Sequence, residues 1–193
     1  MSLSSSCASL SKCSINESLL LVVDIQEQLG NAMPKKVLNR VVTNSALLAR
    51  SAGLLGVPVL VTEQYPKGLG PTVHELRAAL PVSSQSFEKT SFSCIGANGF
   101  TTSLNQSGRR QVIIVGMEAH VCVIQSALDL SANELDVYVV EDAICSRRLE
   151  NYQNALDRIR QTKVGVISAE SVIFEWLEDS RHNQFKQIQA MLR

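Results

Sequence analysis

Apolar residues in this chain fall into two alternating kinds of segment. Short runs rich in β-branched residues are apolar at nearly every position, whereas longer segments carry apolar residues three, four or seven apart. The short runs are Leu19 to Val23 (LLLVV), VPVLVT around Pro58, the weaker Gln85 to Lys89, Gln111 to Val115 (QVIIV), Asp136 to Val140 (DVYVV) and VGVIS at 164–168. Each is read as a strand. Between Lys36 and Leu55 the positions Val37, Val41, Leu48, Ala52 and Leu55 line one face of an amphipathic helix. Gly56 falls where its C-cap belongs, and Pro58 opens the next strand. Further helices are expected over 121–133, 151–162 and most of 169–193.

Strands that are apolar throughout are buried on both faces. Their alternation with helices predicts an α/β fold, a parallel sheet with helices on both sides. Right-handed crossovers make it a three-layer, doubly wound arrangement. Ligands of such sheets bind beyond the carboxyl ends of the strands, so the residues just after each strand are the ones to examine.

Composition narrows the partners. A length of 193 residues suits one domain, read here as 18–193 behind a Ser-rich, flexible N-terminal segment, 1–17. That segment lacks an apolar stretch long enough for a signal peptide. Lys plus Arg and Asp plus Glu both number 18, so no strong basic field favours nucleic acid or a membrane surface. No apolar stretch is long enough to span a bilayer. The five cysteines, Cys7, Cys13, Cys94, Cys122 and Cys145, are odd in number and contain no CxxC pair. They read as reduced thiols in a cytoplasmic setting, neither a disulfide framework nor a zinc site. No GxGxxG or P-loop pattern points to a nucleotide, and no cofactor is expected.

Three strand ends carry reactive residues: Asp24 after LLLVV, Lys89 after SFE, and Cys122 six residues past Gly116. At a helix start Cys122 meets unpaired backbone N–H groups and the positive end of the dipole, and a nearby lysine would lower its pKa further. A thiolate there attacks carbonyl carbon, and the same N–H groups can form an oxyanion hole. The plainer reading is a small buried residue. Asp24 is either the base that takes the thiol proton or a helix N-cap. Lys89 is either their charge partner or a solvated surface lysine. His120 lies two residues from Cys122, a spacing that does not face it across a helix, so it is assigned to the cleft wall. Cys145 is structural or cleft-lining. In the loop EQYPKGLGP, the residues Glu63, Gln64, Tyr65 and Lys67 either contact substrate or are solvated. His74 and His182 have no partners at metal-ligand spacing.

Taken in order, VVDIQEQL, FEKTSFSC and VGMEAHVCV resemble the isochorismatase-like cysteine hydrolase family over roughly Ser18 to Ser171. The loop VTEQYPKGLG is similar to the isochorismatase-domain branch of unassigned substrate. The resemblance implies the isochorismatase-like hydrolase fold, with six parallel strands in the order 3-2-1-4-5-6. It implies a catalytic triad of Asp24, Lys89 and Cys122, and a cis peptide between Met117 and Glu118. It also implies an oxyanion hole from the backbone N–H groups of Glu118 and Cys122, and a homo-oligomer. Nicotinamidases of the family bind metal through histidines after the second strand. EQYPKGLG has none, so a metal-independent site is expected. Retention of Cys122 suits hydrolysis of a small-molecule, amide-like C–N bond through a thioester. Ile25, Tyr65, Phe92, Met117 and His120 are taken as substrate-binding from their nearness to the triad. The alternative is a non-catalytic or regulatory binding protein on the same fold. Neither reading involves nucleic acid or a membrane.

Overall fold

A computed structural model describes residues 11–192 of the chain. Along it run β1 (Ser18–Val23), α1 (Glu27–Asn31), α2 (Lys35–Leu55), β2 (Val59–Gln64), α3 (Pro66–Leu69), α4 (His74–Arg77) and β3 (Gln85–Lys89). These are followed by α5 (Phe100–Gln106), β4 (Gln111–Met117), α6 (Ile124–Ala132), β5 (Asp136–Cys145), α7 (Leu149–Ile159), β6 (Gly165–Ile167), α8 (Ala169–Leu177) and α9 (Phe185–Met191). Among the described residues the strands form one parallel sheet in the order β3-β2-β1-β4-β5-β6, the order implied by the resemblance. β1 pairs with both β2 and β4, so the winding reverses between β1 and β4.

Every residue of β1 is buried, and its side chains alternate between two cores. Leu20 and Val22 pack with Val41, Leu48, Val172, Trp176 and Ile188 on the face covered by α2, α8 and α9. Leu19, Leu21 and Val23 pack with Phe100, Leu104, Val123, Ala127, Ala155 and Ile159 on the face covered by α5, α6 and α7. Inside the first core the Trp176 indole donates to Ser18 Oγ at 2.9 Å, so the one polar atom of that ring is satisfied. α2 ends where expected: Gly56 adopts φ 72°, a left-handed C-cap that glycine takes without steric cost.

Besides the short helices α1, α3, α4 and α5, which the apolar pattern does not predict, two stretches differ from the sequence reading. β5 runs on past Val140 to Cys145 after a register shift opposite Ile114 and Gly116, and Met117 then pairs with Cys145. Glu141 and Asp142 interrupt the apolar pattern there, yet both have partners. Asp142 Oδ1 accepts from the Ala169 amide at 2.8 Å, and Glu141 Oε2 accepts from Arg160 at 3.1 Å. Of the expected lead-in 1–17, residues 1–10 lie outside the described residues, as does Cys7. Within 11–17 the chain packs on the domain. Cys13 is buried, its amide donates to Glu175 Oε2 at 2.7 Å, and the Ser14 amide donates to Gln111 Oε1 at 2.8 Å. No helix among the described residues is long and apolar enough to cross a membrane.

The β1–β4 seam depends on Gly116. A Cβ at that position would lie 2.6 Å from the Val23 carbonyl oxygen, 2.8 Å from Val23 Cβ and 3.0 Å from Val123 Cγ2. Backbone is on one side and a packed core on the other, so the crowding cannot be relieved by a rotamer. Gly116→Ala is expected to lower stability by about 1–3 kcal/mol in urea titration. A change within experimental error would show that the seam has slack.

Buried thiols add a pH dependence. Burial, the largest cause, pushes both Cys94 and Cys145 from the ordinary 9.0 up to about 12. The unfolded chain therefore loses these protons first as pH rises. The stabilising contribution is complete below pH 9 and is lost as pH climbs toward about 12. Under reducing conditions the stability difference between wild type and Cys145→Ala is expected to fall above pH 9. The slope approaches about 1.4 kcal/mol per pH unit. A difference constant from pH 8 to 10.5 would show that Cys145 titrates normally in the fold.

Candidate active site

The candidate residues gather at the carboxyl ends of β1, β2, β3 and β4, beside the point where the winding reverses. Three of these strands leave the sheet through a non-glycine residue of positive φ: Asp24 at 53°, Tyr65 at 37° and Glu118 at 56°. Such conformations cost about 1–3 kcal/mol each and cluster at functional sites.

Asp24 and Lys89 are both buried and form an ion pair with Nζ 2.6 Å from Oδ2. Their strands are not neighbours, because β2 lies between them. Side chains from the end of β2 complete the pair. Thr62 Oγ1 donates to Asp24 Oδ1 at 2.8 Å, and Gln64 Oε1 accepts from Lys89 Nζ at 2.7 Å. The ammonium also donates to the carbonyls of Phe92 and Ser91 at 3.1 and 3.2 Å. Gln64 is itself held. Its amide donates to Gln26 Oε1 at 2.7 Å, and Gln26 Nε2 donates to the carbonyls of Gln64 and Gly70 at 3.0 and 2.6 Å. Both charges are thus fully hydrogen-bonded, the condition for burying an ion pair.

Cys122 sits in a widened, π-helical turn over Ala119–Val123 that runs directly into α6. Its residue is 5% exposed. The expected lowering of the thiol pKa is reversed. Burial first, then the Asp24 carboxylate, push the thiol up to about 12, while the Lys89 ammonium pulls the other way. Hydrogen bonding to Asp24 and the charge of Glu118 raise it further. A helix start and a lysine point to a thiolate, but the lysine is paired with Asp24, and the carboxylate weighs more on the thiol than the ammonium does.

The cis peptide expected at Met117–Glu118 is also corrected. No cis bond occurs among the described residues, and the reversal after β4 is made instead by the left-handed backbone of Glu118. Glu118 is buried at the foot of this turn. Arg147 Nε lies 3.0 Å from Oε1 and His120 Nδ1 lies 3.4 Å from Oε2. Both are ion-pair contacts, although neither meets the geometry of a hydrogen bond. His120 bonds elsewhere, through Nδ1 to Ser146 Oγ at 3.0 Å and through Nε2 to Asn151 Nδ2 at 3.2 Å.

The residues assigned to substrate divide. Tyr65 and Phe92 are 55% and 53% exposed. Both border Lys89: the Tyr65 amide donates to the Lys89 carbonyl at 2.8 Å, and the Phe92 carbonyl accepts from its ammonium. Ile25 and Met117 are buried in the core on the α2 face, whereas Cys122 belongs to the core on the opposite face. They are not brought to the mouth beside Cys122. Glu63 is used internally, accepting from the Thr72 amide and hydroxyl at 2.7 Å each. Sequence reasoning passed over Thr62 and Gln26. The available signal was positional, since Thr62 ends VPVLVT and Gln26 follows Asp24 by two. No group of three or more His, Cys, Asp and Glu among the described residues is set to hold a metal ion.

A family model described as the isochorismatase domain fits residues 18–171. Isochorismatase domain-containing protein 2 of Danio rerio is 36% identical over 185 residues, spanning 96% of this chain and 91% of that one. The solved structure of MAR1 ribonuclease from Caenorhabditis elegans superposes with a TM-score of 0.87 at 36% identity, covering 94% of this chain and 92% of that one. The YcaC gene product of Escherichia coli, described as an octameric hydrolase of unknown specificity, superposes with a TM-score of 0.80 at 26% identity. That superposition covers 94% of this chain and 87% of that one.

The charge arrangement sets the order of thiol reactivity. Asp24→Asn removes two of the causes that raise the Cys122 pKa and leaves Lys89, so it should lower that pKa. Lys89→Met should raise it. Site-resolved alkylation by mass spectrometry at pH 8 is expected to rank Asp24→Asn above wild type, by about tenfold for each pKa unit gained. Lys89→Met is expected to rank below wild type. Fast alkylation of wild-type Cys122 below pH 7 would reverse the assignment.

Proposed function

The chain belongs to the isochorismatase domain family, and from that premise we propose that it is a metal-independent cysteine hydrolase acting on the C–N bond of a small amide-like molecule. The observation that carries this reading is the buried Asp24–Lys89 pair, 2.6 Å apart, coupled by charge to the Cys122 thiol. Asp24 takes the thiol proton as sulfur attacks the carbonyl carbon. The C–S bond forms and the carbonyl π electrons move to oxygen, which accepts from the backbone N–H groups of Glu118 and Cys122. The intermediate collapses, the C–N bond breaks, and protonated Asp24 hands its proton to the departing amine. Water then attacks the thioester with Asp24 as base, and the sulfur leaves as thiol with that proton. Lys89 is the positioning cation: it holds the carboxylate and offsets the charge that builds on sulfur.

A single domain over 18–193, a reducing cytoplasmic setting and a homo-oligomer complete the proposal. The octameric description of the Escherichia coli relative supports the last. The name of the Caenorhabditis elegans relative supports RNA cleavage as a second reading. Equal numbers of basic and acidic residues, and the small exposure of Cys122, favour a small neutral or cationic substrate over a long polyanion.

Purified protein is to be assayed for amine release against a panel of small amides, with cleavage of RNA followed in parallel. Turnover of an amide is expected to fall by about a thousandfold or more in Cys122→Ala, with the unfolding midpoint nearly unchanged. Quenched wild-type reactions should carry the acyl mass on Cys122. Amide turnover surviving in Cys122→Ala would sink the mechanism. Absence of both turnover and acylation would leave a binding protein, and cleavage of RNA that depends on Cys122 would favour the second reading.

A further inference from the structure

The turn that carries Cys122 is built from rare backbone conformations. Glu118 enters it at φ 56°, and Ala119–Val123 then make a π-helical turn before α6. Such conformations persist only where their surroundings fix them. Packing fixes the far end: Val123 lies in the α6-side core and against Gly116. The near end, from Glu118 to His120, is held by side chains.

Met117 and Cys145 pair at the ends of β4 and β5, so Glu118 and Ser146 leave the sheet side by side. His120 reaches from the turn to the segment that follows β5. Its Nδ1 meets Ser146 Oγ at 3.0 Å, and its Nε2 meets Asn151 Nδ2, in the first turn of α7, at 3.2 Å. Glu118 is paired with Arg147 of the same segment at 3.0 Å, and its other oxygen lies 3.4 Å from His120 Nδ1. These ties are unequal. The Arg147 side chain is 59% exposed, and an ion pair with so open a partner contributes little. Ser146 is 5% exposed, so water does not readily replace a bond lost there. His120 alone touches Glu118, Ser146 and Asn151 together.

We propose that His120 is the positioning residue of this site. Through Ser146 and Asn151 it clasps the turn to the segment after β5, and so holds the Cys122 sulfur and the backbone N–H groups of Glu118 and Cys122 in one arrangement. This deepens the hydrolase reading and rests on it. The role requires no contact with the reacting atoms, in keeping with a ring two residues from Cys122 that does not share its face.

Two readouts test the clasp, one of them without turnover. Burial is the largest cause that pushes the Cys122 thiol up to about 12, so a loosened turn should let it fall toward the ordinary 9.0. Site-resolved alkylation across pH is expected to give His120→Leu a lower midpoint than wild type, and a rate at pH 8 about tenfold higher or more. Ser146→Ala cuts the same bond from the other side and should act alike, and the double variant should add little to either single one. His120→Gln, which can still bond Asn151, should restore part of the wild-type profile. Asn44→Ala removes a bond to β5 outside the turn, from Asn44 Nδ2 to the Asp142 carbonyl at 2.9 Å, and should leave the profile unchanged. In the amide panel His120→Leu should lower kcat by about a hundredfold, the scale of a small misplacement, with KM changed by less than about twofold. The proposal is overturned if His120→Leu keeps the wild-type alkylation profile, if Asn44→Ala shifts it as far, or if the His120 and Ser146 effects multiply. Should His120→Leu fail to fold, Ser146→Ala carries the test by the same criteria. A clasp-dependent profile without turnover would remove the hydrolase and leave the clasp. Turnover with a kcat indifferent to His120→Leu would do the opposite.

Discussion

A lysine and an aspartate without solvent access must find each other across an intervening strand. Asp24 ends β1 and Lys89 ends β3, with β2 between them. Two strand spacings amount to roughly 10 Å, so only a long side chain closes the distance. The Lys89 stem does so, and the Nζ–Oδ2 separation is 2.6 Å. Removing either partner alone would strand a charge at a cost of about 3–5 kcal/mol. Much of the local architecture follows from avoiding that. Thr62 and Gln64 on the intervening strand saturate the pair from between. Gln26 ties the Gln64 backbone to Gly70. Glu63 fastens Thr72 to the same loop. The EQYPKGLG segment is thus a brace for the lysine, while Tyr65 and Lys67 within it are exposed.

How much of this was legible in the sequence follows from what kind of force acts at each place. Burial writes a pattern. β1, β4 and α2 were found because an apolar run, or an apolar stripe, is the direct trace of a buried face, and Gly56 was found because a left-handed cap has few candidates. Asp24 and Lys89 likewise lie at strand ends, whereas Cys122 lies five residues past β4, in the turn that leads into α6. The strand order was not derivable from pattern, because it depends on which edges pair, and it came with the resemblance. β5 was cut short because Glu141 and Asp142 read as a strand terminus, while their partners, Arg160 and the Ala169 amide, lie far along the chain. Ile25 and Met117 are near the triad in sequence, but Met117 ends β4 with its side chain in the α2-side core, and Ile25 enters that core after the left-handed turn at Asp24.

The thiol shows why proximity of charges could not be converted into a pKa from the sequence. The sequence suggests a helix start, a lysine and an aspartate near Cys122. Their sum depends on burial and on which group is already paired. Lys89 pulls the thiol pKa down, but the Asp24 carboxylate paired with it pushes it up by more. Desolvation then decides the sign. No linear pattern encodes that.

In the proposed mechanism the thiol rests neutral beside an ion pair that is itself neutral overall. A preformed thiolate would be stabilised before substrate arrives, and that stabilisation would lower the ground state together with the transition state. Under the proposal, charge would develop on sulfur only as Asp24 receives the proton and the C–S bond forms. At that moment Asp24 would become neutral and the Lys89 ammonium would be released to face the new negative charge. Its interaction with the reacting atoms would then be stronger in the transition state than before it, which is the condition for accelerating the step. The carboxylate that Lys89 and Thr62 hold in place is the one the proposal uses as base, so the contacts that stabilise the pair at rest would also orient it for the proton transfer.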